Sequence, residues 1–175
     1  MKALIILIPE GFRDEEFAVP RDMLKKADIS VTVAGLAPGE AKGAKGMKAV
    51  PDKLLSEIKD QDFDAIILPG GSGAKKYLFN NREILDLIRR YNDADRIVAA
   101  ICLSGAVLAN AGILAGRNAT VFSNPETISI FKRSGVFYMG DGVFIDGNVI
   151  TASGPEYSEE FAQKIIEALK HREGN

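Results

Sequence analysis

Two kinds of hydrophobic pattern alternate along the chain. Short continuous apolar runs are separated by longer stretches in which apolar residues recur at helical spacing. Ala3-Leu4-Ile5-Ile6-Leu7-Ile8 is the first continuous run and predicts a strand covered on both faces. Residues 29–36, 65–68 and 96–101 predict three more strands. Residues 14–27 predict a helix with Phe17, Val19, Met23 and Leu24 on one side and Pro20 in its early part, where the missing N–H favours a kink. Residues 81–91 predict a second helix striped by Ile84, Leu85, Leu87 and Ile88. Residues 103–111 predict a helix of small residues, and 156–171 a closing helix with Phe161, Ile165, Ile166 and Leu169 turned inward. Residues 143–145 and 149–151 flank Asp146-Gly147-Asn148, and Asp-Gly is a hairpin signal.

Strands alternating with helices predict an α/β fold with a parallel sheet wrapped on both faces. The expected architecture is a flavodoxin-like three-layer sandwich with a mostly parallel central sheet, formed as a single domain over residues 1–175. Such sheets bind ligands beyond the carboxyl ends of their strands, where the strand order reverses. That rule brings three turns together: residues 9–16, 69–73 and 102–105.

Composition narrows the class. Of 175 residues, 46% are hydrophobic and 26% charged, which excludes a disordered chain. The net charge of −2, with no run of like charges, gives no basic face for a nucleic acid. Lys42, Lys45 and Lys48 lie among small residues and read as a solvated loop, not a binding patch. The single cysteine, Cys102, has no partner for an internal disulfide. No apolar run approaches the roughly 20 residues of a membrane helix, and no secretory leader pattern opens the chain. The expected setting is a reducing cytoplasm, with no membrane partner.

Cys102 follows the apolar run Val98-Ala99-Ala100-Ile101 and precedes Leu103-Ser104-Gly105-Ala106, a strand-to-helix elbow of the kind that presents a nucleophile. Residue type alone equally suits a buried structural cysteine; the place at the end of a central strand favours reactivity. A free thiol with a pKa of about 8.5 is only slightly ionised at neutral pH. Making it mostly thiolate takes about 4 kcal/mol. A helix N-terminus supplies about 0.3–2 kcal/mol and a charged hydrogen bond about 1.5–3 kcal/mol, so a nearby donor is needed. Glu16, next to Phe17-Ala18-Val19-Pro20, is the candidate: held on the apolar face and protonated, it would donate to the sulfur. Asp14 and Glu15 read as solvent-facing complements of the helix dipole. Gly70-Gly71-Ser72-Gly73 allows close backbone approach. It lacks the complete dinucleotide and P-loop patterns, and the acidic first turn argues against a flavin. No cofactor and no metal are expected.

Taken together, these segments closely resemble the DJ-1/PfpI superfamily over nearly the whole chain. The resemblance rests on residues 11–20 with Glu16, Val31-Thr32-Val33-Ala34-Gly35-Leu36, Leu68-Pro69-Gly70-Gly71, Ala99-Ala100-Ile101-Cys102 and Gly154-Pro155. Residues 146–155, Phe161-Ala162 and Ile166-Glu167-Ala168-Leu169 look more like the DJ-1 branch than the peptidase branch. The resemblance implies a homodimer or larger assembly, a reactive Cys102, a protonated Glu16, and anion-holding N–H groups from Gly71 and Leu103, with Gly70 supporting the turn. It also implies a small reactive carbonyl or a peroxide as partner. Family members are credited with cofactor-free glyoxalase, deglycase and peptidase activities and with redox-sensing or chaperone roles.

The sequence departs from the family pattern at three places. Leu103 stands where the peptidase branch has a histidine, and Ser104-Gly105 where the family often has Gly-Pro. The histidine of glyoxalase-type members falls on Phe122 or Asn124 here, depending on a gap before Pro125. The one histidine, His171, reads as a solvated residue of a last helical turn. No Cys–His dyad can form within one chain, which disfavours a peptidase because amide cleavage needs an acid for the leaving nitrogen. Two readings remain: a Cys–Glu glyoxalase or deglycase acting on carbonyls such as methylglyoxal, and a non-catalytic oxidation sensor or redox-regulated chaperone in which Cys102 becomes a sulfinate.

Overall fold

The computed structural model describes residues 1–59 and 62–174. Its central strands are β1 (Lys2–Leu7), β3 (Ser30–Gly35), β7 (Ala65–Leu68), β8 (Ile97–Ile101) and β12 (Val149–Ala152). Their interiors are buried, except for the part-buried Val31 and Thr32 of β3, because helices cover both faces. The edge strands are β6 (Lys53–Leu54) and β11 (Val143–Asp146), giving a seven-stranded sheet in the order β11-β12-β8-β7-β1-β3-β6. All neighbours pair parallel except β11, which returns antiparallel to β12 through the turn at Gly147, where φ is +61°. The five central strands therefore follow the flavodoxin-like order, and the order reverses between β1 and β7.

Helices α1 (Asp14–Lys26) and α6 (Ser158–Glu173) pack together on one face of the sheet. Helices α3 (Arg82–Asp93), α4 (Gly105–Asn110) and α5 (Pro125–Arg133) cover the other, and α2 (Ala74–Tyr77) is a single turn after β7. In α1 the inward side is Phe17, Pro20 and Leu24; Val19, expected there, is only partly buried. Pro20 takes the inner place one turn before Leu24, where its lack of an N–H costs the helix one bond but its ring packs well. The helix expected from Leu103 begins instead as a 3₁₀ turn, Cys102–Ser104, before α4 proper.

The stretch expected to be a solvated loop at Lys42–Lys48 is a hairpin. Strands β4 (Ala41–Gly43) and β5 (Lys48–Ala49) pair antiparallel, and β2 (Glu10–Phe12) pairs with β4. The side chain of Asp14 holds the turn, its Oδ1 accepting from the Lys45 N–H at 3.1 Å and its Oδ2 from the Met47 N–H at 2.9 Å. The remaining pair, β9 (Asn118–Ala119) and β10 (Phe137–Tyr138), forms a small parallel ladder beside β11.

Candidate active site at the carboxyl ends of the strands

The turns after β1, β7 and β8 meet as the strand order requires. Cys102 has φ +60°, the left-handed region that a residue with a Cβ enters only at a cost. The elbow is pinned from two directions. The Phe122 N–H donates to the Cys102 carbonyl at 3.1 Å. Ser104 Oγ, fully buried, donates to the Pro69 carbonyl at 2.7 Å. The N–H groups of Leu103 and Gly71 lie by the Cys102 sulfur and favour its charged form. The residue is buried, with 8% of its surface exposed.

Glu16, in the first turn of α1, is completely buried. Its Oε2 accepts from the Gly70 N–H at 2.8 Å. Its Oε1 is buried and takes no hydrogen bond from an N–H or a hydroxyl. The polar neighbour left to the carboxyl is the Cys102 thiol. Gly70 makes this meeting possible: a Cβ there would lie 2.7 Å from Glu16 Oε2 and 2.8 Å from Cys102 Cβ. Gly71 is also obligatory, with φ +110° and the Gly11 carbonyl 2.3 Å from where its Cβ would stand.

Burial raises both members of the pair. The Glu16 carboxyl is pushed up to about 7, mainly by desolvation, against the Gly70 N–H that pulls it down. The Cys102 thiol is pushed up to about 12, by desolvation first and the Glu16 charge second, against the Leu103 and Gly71 N–H groups. This corrects the expectation of a thiol simply lowered by its donors. Two anions cannot share one dry pocket, so the pair loses its first proton near pH 7 and holds the second far above it, and a thiolate exists only while Glu16 holds the remaining proton.

The acidic triplet divides its work. Asp14 ties down the β4–β5 hairpin, as described. Glu15 is paired with Arg13 Nε at 2.8 Å and Lys45 Nζ at 3.1 Å, and its own backbone N–H together with these two cations holds it down to about 2. Neither is a bare solvent-facing complement of the helix dipole, which is how both read in the sequence. Next to the site, a cavity of about 700 Å³ opens between the hairpin and α2, lined by Lys42, Lys48, Lys76, Tyr77 and the shared residues Gly11, Ser72 and Gly73. Cys102 and Glu16 do not line it.

All five residues singled out in the sequence, Cys102, Glu16, Gly70, Gly71 and Leu103, come together here. Ser104 and Arg13 were missed: Ser104 is one of many small residues after β8, and Arg13 is one charge among several. His171 lies in the last turn of α6, whose end borders Met1, Asp64 and Asp95 at the opposite, amino end of the sheet. Of the two positions open to the family histidine, Asn124 is committed as the cap of α5, its Oδ1 accepting from the Thr127 N–H at 2.9 Å. Phe122 is the one bonded to Cys102, and it is 47% exposed. No helix among the described residues is long and apolar enough to cross a membrane.

The family model of the DJ-1/PfpI family matches residues 1–168. The chain belongs to the DJ-1/PfpI family. An uncharacterized protein of Methanocaldococcus jannaschii is 38% identical over 169 residues, 97% of this chain and 82% of that protein. The glutathione-independent glyoxalase DJR-1.2 of Caenorhabditis elegans is 36% identical over 168 residues, 96% of this chain and 88% of that protein. The crystal structure of Drosophila melanogaster DJ-1beta superposes with a TM-score of 0.87 at 36% identity, over 96% of this chain and 89% of the other. DJ-1-like proteins recur among these relatives, which puts the chain closer to the DJ-1 branch of its family.

Proposed function

We propose that this DJ-1/PfpI protein is a cofactor-free glyoxalase-type enzyme that converts small 2-oxoaldehydes such as methylglyoxal to 2-hydroxy acids. The observation that carries this reading is the Glu16 carboxyl: completely buried, with Oε1 undonated, beside the sulfur of Cys102. A carboxyl pushed up to about 7 is matched to proton transfer at neutral pH.

The Cys102 thiolate adds to the aldehyde carbon, forming the C–S bond and sending the carbonyl electrons to oxygen, which takes the proton of Glu16. The Gly71 and Leu103 N–H groups, released from the sulfur as it loses its charge, stabilise the oxyanion on the way. Glu16, now a carboxylate, removes the hydrogen of the same carbon as a proton. The electron pair moves toward the neighbouring ketone, whose oxygen is protonated by water, giving an enediol. Return of the Glu16 proton to the second carbon, with loss of the hydroxyl proton to water, leaves a thioester. Water hydrolyses it to the hydroxy acid and the free thiol. The aldehyde carbon is oxidised, the ketone carbon is reduced, and one water is consumed, so no outside electron carrier enters. A deglycase would begin with the same attack on a carbonyl adduct. Without a histidine, water serves the second oxygen, at a cost of about two to four powers of ten in rate. The 36% identity to a protein named as a glutathione-independent glyoxalase supports the reading.

Purified protein incubated with methylglyoxal should form lactate, and Cys102→Ser and Glu16→Ala should abolish it. No lactate from the wild type sinks the reading.

A second reading is favoured by the convergence of the Gly71 and Leu103 N–H groups on the sulfur. The same donors, with protonated Glu16, suit a sulfinate formed when the thiolate attacks two peroxide molecules in turn, each giving up one oxygen and leaving as water. Mass spectrometry after mild peroxide treatment tests it, and it fails if Cys102 gains no pair of oxygens ahead of the methionines.

A further inference from the structure

Arg13 borders the site, and the steps above leave it without a task. Its backbone N–H donates to the Gly70 carbonyl at 3.0 Å, and its nitrogen lies 2.4 Å from where a Cβ on Gly71 would stand. It is therefore packed on the turn whose two glycines touch Glu16 and Cys102. Its guanidinium spends Nε on Glu15 at 2.8 Å, and Glu15 is held on its other oxygen by Lys45. The two terminal nitrogens make no hydrogen bond among the described residues, and the side chain is 32% exposed. The guanidinium is thus held at Nε, with its two terminal nitrogens left to a ligand. Its charge is felt by both Glu16 and Cys102.

We propose that Arg13 is an anion subsite and that the preferred substrate is a carbonyl compound carrying a carboxylate, bound by the open fork while Cys102 takes the carbonyl. A carboxylate accepts two parallel N–H bonds from a guanidinium, a match that the methyl group of methylglyoxal does not offer. The subsite also answers an electrostatic need. The single negative charge of the Cys102–Glu16 pair repels an anionic substrate, and the set Arg13, Glu15 and Lys45 carries one net positive charge to offset it.

The inference rests on Cys102 being the reacting atom of the proposed enzyme, and the test separates the two. Iodoacetate and iodoacetamide both alkylate a thiolate with loss of iodide, and they differ by one negative charge. The ratio of their rates at Cys102 is measured in the wild type, in Arg13→Gln and in Arg21→Gln, a control arginine of α1 that is paired with Asp22. Losing the cation also makes the thiolate scarcer, but that slows both reagents alike and leaves the ratio as the measure of anion recognition. Arg13→Gln should lower the iodoacetate-to-iodoacetamide ratio about tenfold, the worth of one charged hydrogen bond, with Arg21→Gln unchanged and Arg13→Lys in between. An unchanged ratio in Arg13→Gln overturns the subsite, as does a Cys102 that neither reagent modifies. If the ratio falls while methylglyoxal gives no lactate, the subsite stands and the glyoxalase reading falls.

Discussion

Glu16 and Cys102 face each other across the bare α-carbon of Gly70. A methyl group there would press on Glu16 Oε2 at 2.7 Å, on Cys102 Cβ at 2.8 Å and on the Ile101 carbonyl at 2.7 Å. None of the three can swing away, since two belong to the β8 elbow and the third is locked in the first turn of α1. Gly70→Ala should therefore cost about 1–3 kcal/mol in stability, the usual penalty for overpacking. It should also slow alkylation of Cys102 by iodoacetamide, because the Gly70 N–H that orients Glu16 must move. Thermal unfolding and a thiol-modification time course check the two effects. A variant unchanged in both would mean that the carboxyl and the thiol do not depend on this contact.

The raised Glu16 carboxyl makes stability depend on pH in a definite direction. Its ordinary value is 4.5 and the folded value is about 7. Between these, the folded protein keeps a proton that the unfolded chain has released, so stability falls as pH rises. The loss begins near pH 4.5, is complete just above pH 7, and totals about 3 kcal/mol. Glu16→Gln cannot ionise and should lose this slope. Urea unfolding at pH 5 and pH 8 should show the variant gaining on the wild type as pH rises. Parallel behaviour of the two proteins would contradict an uncharged Glu16 in the fold.

The parts of this architecture that local pattern controls were legible in the sequence. The run Ala3–Ile8, the run Ala65–Leu68 and the Asp146-Gly147 turn each announce themselves through a few adjacent residues, and the alternation of strands with helices points from them to a mostly parallel sheet. Cys102 and Glu16 were legible because the ends of central strands are where such folds place chemistry. The β4–β5 hairpin was not, because its strands are two or three residues long and its turn is held by Asp14, about thirty positions earlier in the chain. The thiol's environment was not legible either. The charge of Glu16 reaches Cys102 because Gly70 lets the carboxyl approach, and the elbow itself is pinned by the bond from Ser104 to Pro69; both are long-range contacts with no local signal. Arg13 stayed hidden for the same reason, since its importance comes from the Gly70 carbonyl that its backbone meets.

Ser104 should prove to be the residue that fixes the elbow against β7. Its hydroxyl is fully buried and has one partner, the Pro69 carbonyl. Ser104→Ala leaves that carbonyl without its donor, a loss of about 1–3 kcal/mol. Ser104→Thr keeps the hydroxyl but adds a methyl to a fully buried site. The alanine variant should lower the urea midpoint and, by loosening the turn, reduce the rate of Cys102 alkylation. A drop in stability with no change in alkylation would confine Ser104 to a structural role.

The two alternative positions for the family histidine make opposite predictions. Phe122 is anchored beside Cys102 by its backbone N–H at 3.1 Å, and the residue is 47% exposed, so replacing it opens no cavity in the core. Phe122→His places an acid–base group next to the elbow and should raise lactate formation from methylglyoxal by about two powers of ten, the lower end of what general acid–base catalysis contributes. Asn124→His should bring no such gain. Asn124 exchanges hydrogen bonds with Thr127 at 2.9 and 3.1 Å to cap α5, and losing the cap should cost about 1 kcal/mol. Steady-state kcat/KM and thermal unfolding of the two variants, compared with the wild type, separate the cases. A gain from Asn124→His and none from Phe122→His would reverse the assignment and place the missing proton carrier on the helix cap instead of beside the sulfur.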